Sequence, residues 1–376
     1  MKIAQIAPGW FPVPPKNYGG TEVVIYNLIE ELVEQGHDVT LYAPGDARTS
    51  AKLVSFFPQS LIGSGVPWQA HLKAYYHLRK SVEAVKQGDF DIVHMHLSSA
   101  SDLYLFPLMA GMQVPHVMTL HSRFPFDHLP NGWVGDADPL YMTEWAASMP
   151  MVAISKHARD EVPYPLHFVG VVYHGLPMDT FIPTRTKRRD YFAWLGRCVP
   201  DKGAHLAIQA AKEAGIALIL AGTVDRNMPE SVRYFQEQIK PQIDNQQIRY
   251  IGPANMKEKI NLFSGARAFL NPIEWEEPFG MVMIEAMALG CPAISFERGA
   301  APELIVDGKT GFLVEDVDAM VRAIASIDTI NRDTTRQHIE EHFSARVMAK
   351  NYTQIYQQVI EASAGAKGWN CFQTAS

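Results

Sequence analysis

At 376 residues the chain exceeds the size of one ordinary hydrophobic core, and with 47% apolar and 19% charged residues it reads as two compact globular domains. A net charge of −7 excludes a general nucleic-acid binder, because neutralising phosphates requires a basic excess. Cys198, Cys291 and Cys371 lack the CxxC spacing of a zinc site and are odd in number, so free thiols in a reducing, cytoplasmic compartment are expected. The opening residues are too short for a signal peptide, and no run approaches the roughly 18 apolar residues of a membrane span. Peripheral membrane contact is left open.

In chain order, residues 3–7 form a short apolar run, stopped by Pro8. Val24, Leu28, Ile29 and Leu32 then recur at helical spacing within residues 21–35, and a second strand follows at 37–43. The alternation continues with a helix near 69–87, a strand at 91–96, a helix from Ser99 and a strand at 116–120. Residues 123–138, rich in Pro, Gly, Asp and aromatics, read as a long functional loop, a lid or acceptor loop. Strands at 151–154 and 168–173 flank a short helix at 156–161. The prolines and basic residues of 177–189 mark the expected interdomain hinge.

A second series of strands, at 191–195, 217–221, 248–251, 268–270 and 293–296, repeats the pattern. Strands alternating with helices of this length predict parallel sheets covered on both faces. The α/β expectation is therefore two facing Rossmann-like domains, 1–180 and 181–344, with a ligand cleft between the carboxyl ends of their strands. Residues 345–376 carry Val347, Tyr352, Ile355, Tyr356 and Val359 at helical spacing, which predicts a terminal helix returning to the first domain.

The stretch Glu277-Pro278-Phe279-Gly280-Met281 joins a tight turn to an apolar helix that also carries Glu285. The amides and dipole of such a helix start suit a phosphate, Gly280 permits close approach of a ligand, and a carboxylate stands on each side of the junction. Gly196-Arg197 followed by Lys202-Gly203, at the turn after a strand, forms an anion site without the Walker pattern. Gly19 and Gly20 precede a helix start with Thr21 as its expected N-cap, so they can cradle a phosphate. His121 ends a strand and faces the expected cleft, where it is either a hydrogen-bond partner for a sugar hydroxyl or an ordinary strand-end histidine. His94 and His96 share one strand face and read as structural or substrate-lining rather than metal-binding. Two DxD triplets, Asp136 to Asp138 and Asp316 to Asp318, are assigned to loop and helix-start roles instead of a metal site.

Together these residues resemble the family 4 retaining glycosyltransferases of the GT-B fold. The likeness rests on the Gly-Gly loop, Thr119-Leu120-His121, Ala153-Ile154-Ser155-Lys156, Gly196-Arg197 with Lys202-Gly203, and the EX7E signature from Glu277 to Glu285. His174-Gly175 departs from the Asn-Gly common in that family. The resemblance implies a catalytic set of Arg197, Lys202, Glu277 and His121. In it Arg197 and Lys202 hold the donor diphosphate, Glu277 binds hydroxyls of the transferred sugar, and His121 lies near its C6 hydroxyl. It also implies donor contacts by Glu285 to the ribose, by the backbone of Phe279, Gly280 and Met281, by Gly19 and Gly20 near the distal phosphate, and by Gly252 and Met256 around the base.

The expected activity is retaining hexosyl transfer from a nucleotide-diphosphate sugar to an acceptor hydroxyl, with no metal or other cofactor. A UDP-sugar is favoured over a GDP-sugar. The acceptor is a glycan, a lipid-linked sugar or a small molecule. A sugar-nucleotide 2-epimerase, a phosphorylase and a non-catalytic nucleotide-sugar-binding module are the alternatives.

Overall fold

The computed structural model describes residues 1–15, 19–124, 144–163, 165–184 and 190–373. The chain forms two compact units, Met1–Gly175 together with Ala345–Ser376, and Leu176–Ser344. The crossings therefore fall at 175/176 and 344/345, just before the stretch expected to carry the hinge. Residues 176–184 are fastened to the second unit: Leu176 bridges to Ser344, the Phe181 carbonyl accepts from Arg336, and the Thr184 amide donates to Ser264. The basic residues 185–189, and the loop expected at 123–138 beyond Phe124, lie outside the described residues.

Among the described residues the first unit holds seven strands: β1 (Lys2–Ile6), β2 (Asp38–Tyr42), β3 (Lys52–Val54), β4 (Ile92–Leu97), β5 (His116–Leu120), β6 (Met151–Ala153) and β7 (Phe168–Val171). They pair in parallel in the order β3-β2-β1-β4-β5-β6-β7. Its helices are α1 (Gly20–Glu34), α2 (His71–Gln87), α3 (Leu105–Met109) and α4 (Lys156–Asp160). Every residue of β4 is buried, as a central strand covered on both faces must be.

Among its described residues the second unit repeats the order with six strands: β8 (Phe192–Arg197), β9 (Leu218–Thr223), β10 (Ile248–Tyr250), β11 (Phe269–Asn271), β12 (Ala293–Phe296) and β13 (Gly311–Val314). They are arranged β10-β9-β8-β11-β12-β13. The helices here are α5 (Ala204–Glu213), α6 (Pro229–Tyr234), α7 (Met256–Gly265), α8 (Met281–Ala288), α9 (Ala301–Leu304), α10 (Val317–Ser326) and α11 (Arg332–His342). Phe192, Trp194, Leu218, Leu220, Ile248, Leu270 and Ile294 form its core. Each such side chain contributes about 1.5–3 kcal/mol on burial.

The last helix, α12 (Ala345–Gln373), belongs to the first unit and packs on α1 and β5. Tyr352 and Tyr356, one helical turn apart, are fully buried there. In both sheets the strand order reverses beside the first strand of the unit, between β1 and β4 and between β8 and β11. In doubly wound sheets the carboxyl ends at such a reversal are where loops diverge and leave a crevice.

Candidate active site

At the reversal in the second unit, β8 ends at Gly196 and Arg197. One 3₁₀ turn, Pro200–Lys202, follows, and then Gly203 in the left-handed region at φ 67°. A Cβ on Gly203 would stand 1.8 Å from the Pro272 carbonyl oxygen, so only glycine lets this turn lie against the loop after β11. The Trp194 indole donates to the Lys202 carbonyl at 3.0 Å, and the Glu274 amide donates to the Asp201 carbonyl at 2.9 Å. The backbone of Lys202 is thus tied to the core of the unit before any ligand is considered.

The loop after β11 presents Glu277. Its Oε2 accepts from the Lys202 ammonium and from the Trp275 indole at 3.1 Å, while Lys202 Nζ lies 4.8 Å from the Trp275 ring centroid. The Ala300 amide donates to the Glu277 carbonyl at 2.9 Å, and the Gly299 amide to Glu276 Oε2 at 2.7 Å. A Cβ on Gly299, at φ 57°, would come within 2.4 Å of the Glu277 backbone. The loop after β12 therefore clasps the Glu276 carboxylate and the Glu277 backbone.

Gly280 caps α8 at φ 105° with no side-chain hydrogen bond to the first-turn amides. Met281, partly buried, is the first helical residue. Phe279 is buried, its ring 6.3 Å from that of Phe343. Glu285 follows one turn into the helix and is 8% exposed. Its Oε1 accepts from Lys259 on α7 at 2.7 Å, whereas Oε2 is buried with no hydrogen-bond partner among the described residues.

Lys259 is a residue that sequence reasoning missed. The signal was present: it lies on the same helix as Met256, three positions on, and so stands on the same face. Met256 is the exposed first residue of α7, which Asn255 and Glu258 close with a capping box. Gly252, at φ 78°, follows β10, and its carbonyl accepts from the Gly222 amide at 2.9 Å. Arg197 is exposed at the end of β8, and its guanidinium makes no hydrogen bond or ion pair among the described residues.

In the first unit the expected N-cap moves: α1 starts at Gly20, so the cap is Gly19, at φ 154° and ψ 83°, and Thr21 is already inside the helix. Glycine takes that backbone without strain, which threonine would not. A Cβ on Gly20 would meet open space, whereas one on Gly19 would stand 2.8 Å from Glu22 Oε2. Glu22, in the first turn, is buried, and burial pushes its carboxyl up to about 7. Asp102, beyond β4, accepts from the amides of Ser98 and Ser99 at 2.9 Å, yet burial still raises it to about 6.

His121, beyond β5, is 6% exposed, and its amide donates to the Leu97 carbonyl at 2.9 Å. The ring stacks on His174 with centroids 5.2 Å apart and joins His96 Nδ1 through Nε2 at 2.8 Å. Burial holds His121 well below the usual histidine range and His174 at about 3, so both rings are neutral. His94 and His96 spend their four ring nitrogens on Tyr356, Thr119, His121 and Gln5, which is a structural network. Asp316 caps α10, accepting from the Ala319 amide at 2.8 Å; Asp136 and Asp138 lie outside the described residues. No helix among the described residues is long and apolar enough to cross a membrane.

Two family models abut on this chain. Glycosyltransferase Family 4 matches residues 18–179, and Glycosyl transferases group 1 matches residues 179–342. A phosphatidyl-myo-inositol mannosyltransferase from Mycolicibacterium smegmatis is 24% identical over 389 residues, covering 98% of this chain and 95% of that protein. Among solved structures, sucrose-phosphate synthase from Thermosynechococcus elongatus superposes with a TM-score of 0.75 at 17% identity, covering 96% of this chain and all of that one. Anabaena HepE in complex with UDP superposes with a TM-score of 0.69 at 16% identity, covering 95% of this chain and all of that one. Matched across nearly its whole length, with two parallel sheets in the doubly wound order, the chain belongs to the family 4 glycosyltransferases of the GT-B fold and is a hexosyltransferase.

Proposed function

We propose that the protein transfers a hexosyl group from a nucleoside-diphosphate sugar, a UDP-sugar in preference to a GDP-sugar, to an acceptor hydroxyl with retention at the anomeric carbon and without a metal ion. The observation that carries this reading is the pair of carboxylates around the start of α8. Each holds a lysine, and Glu285 keeps a buried oxygen with no donor among the described residues. Leaving such an acceptor unsatisfied costs about 1–3 kcal/mol, which a ribose hydroxyl would offset. The UDP complex of HepE, which shares the fold, supports the choice of base.

In the proposed step the bond from the anomeric carbon to the diphosphate oxygen breaks as the acceptor oxygen bonds to the same face. The acceptor's proton passes to the departing phosphate. The charge that develops on the phosphate oxygens is met by Lys202, by Arg197 and by the amides at the start of α8. Glu277 steadies Lys202 before the donor arrives and takes hydroxyls of the transferred sugar once the ammonium turns to phosphate. Gly252 and Met256 flank the base, Gly19 and Gly20 the distal phosphate, and His121 the transferred sugar. The M. smegmatis relative is named for a lipid acceptor, which supports a lipid-linked acceptor alongside glycan and small-molecule ones. A cytoplasmic location fits a nucleotide-sugar donor.

The test is thermal shift with UDP, GDP and UDP-glucose, followed by transfer assays with and without EDTA and product analysis by NMR. UDP should raise the Tm more than GDP, EDTA should leave turnover unchanged, and the product should keep the donor's anomeric configuration. An inverted product, or loss of turnover in EDTA, would overturn the mechanism. Epimerised sugar nucleotide formed without acceptor would point to the epimerase alternative.

A further inference from the structure

Beneath α12 lies a continuous chain of side-chain hydrogen bonds that runs through the first sheet and ends at His121. Tyr352 joins Thr119 at 2.9 Å, Thr119 joins His94 Nε2 at 2.7 Å, and His94 Nδ1 joins the Tyr356 hydroxyl at 2.7 Å. Gln5 Nε2 donates to that hydroxyl at 3.1 Å, Gln5 Oε1 meets His96 Nε2 at 2.8 Å, and His96 Nδ1 meets His121 Nε2 at 2.8 Å. Strand register places the members side by side, with Gln5 opposite His94 and His96 opposite Thr119. All seven side chains are buried.

The direction of the His96–His121 arm follows from elementary donor and acceptor rules. An amide oxygen can only accept, so His96 Nε2 carries a proton. A neutral imidazole has one N–H, so His96 Nδ1 is a lone pair and must receive its hydrogen from His121 Nε2. His121 then has its lone pair on Nδ1, and this atom is buried with no hydrogen-bond partner among the described residues. Burial keeps His96 and His121 neutral, which is the condition these rules require.

We propose that Gln5 and His96 are positioning residues that hold His121 as the Nε2–H tautomer, so that its Nδ1 meets the transferred sugar as a hydrogen-bond acceptor. This rests on the reading above that His121 flanks the donor sugar. It deepens that reading, because an acceptor nitrogen selects what faces it. A sugar hydroxyl can donate to Nδ1, whereas a carboxylate or a deoxy position cannot. The substrate class at this point is therefore a neutral hexose with a free hydroxyl, and a uronic acid or deoxy sugar is disfavoured.

The tautomer is read directly by long-range ¹⁵N–¹H NMR on the full chain labelled with ¹⁵N-histidine, using His121→Gln only to assign resonances. Wild-type His121 should show a pyridine-like Nδ1 and a pyrrole-like Nε2. Gln5→Met, which removes the acceptor, should convert this single pattern into a mixture. UDP-glucose should move the Nδ1 resonance to lower frequency as a hydrogen bond forms. A wild-type His121 protonated at Nδ1 overturns the proposal without any variant having to fold, and so does an unchanged single tautomer in folded Gln5→Met. UDP-glucose that raises the Tm but leaves Nδ1 unmoved overturns the acceptor role. Absence of any Tm shift with nucleotides or UDP-glucose instead counts against the donor reading, while the wild-type tautomer still decides this proposal.

Discussion

The two sheets share one strand order, yet the polar groups at their reversal points are of opposite kinds. In the second unit they are ion pairs, Lys202 with Glu277 and Lys259 with Glu285. In the first they are histidines kept neutral by burial, tyrosines, and two carboxyls whose ionisation burial opposes. The same topology has thus been furnished once with ion pairs and once with a buried hydrogen-bond network. Charged groups suit a leaving diphosphate, whereas neutral donors and acceptors discriminate among hydroxyls.

That contrast can be broken most severely on the charged side. Lys202→Ala should lower kcat/KM for transfer by roughly 100- to 1000-fold, the range seen when one preorganised stabiliser of developing charge is lost. Circular dichroism should show the fold intact. Near-normal turnover in a well-folded Lys202→Ala protein would remove the central role given to this cation.

On the neutral side the sharpest probe is Glu22→Gln. The folded-state pKa of Glu22 is raised from 4.5 to about 7, so its contribution to stability is fully present below pH 4.5 and is lost as pH rises through 7. The glutamine variant escapes this loss. Urea unfolding should therefore show its stability gaining on wild type by roughly 3 kcal/mol between pH 4.5 and pH 8. A gap that does not change with pH would mean that Glu22 is ionised in the folded protein at little cost.

The smallest effect belongs to a carboxylate outside both sites. Asp316→Ala should cost about 1 kcal/mol of stability through loss of the α10 cap and leave transfer unchanged with or without divalent ions. A selective loss of activity would return that DxD triplet to the site.

Much of the fold was legible because its signals are local. The strand at His116–Leu120 and the glycine-marked helix starts at Gly20 and Met281 follow from apolar runs and turn residues. The edge strands Lys52–Val54 and Gly311–Val314 were not anticipated. Both are short and partly exposed, and each pairs on one side only, so neither needs the long apolar run that announces a central strand. The N-cap of α1 was misplaced by two residues because threonine is the commoner cap, and nothing local revealed that the backbone there has positive φ.

The carboxylates Glu277 and Glu285, the cations Arg197 and Lys202, and the glycines at the turns were all identifiable from sequence, because each depends on its own neighbours along the chain. The cation that holds each carboxylate was not. Lys259 reaches Glu285 across 26 positions and Lys202 reaches Glu277 across 75, contacts that exist only once β11 lies between its neighbours. The farthest case is Gln5 with Tyr356, 351 positions apart. Sequence by itself determined the alternation of elements and which chemical groups stand at the strand ends. Tertiary structure decided which of those groups are charged, which are neutral and which nitrogen carries the proton, because burial and partner identity are set by packing and not by adjacency.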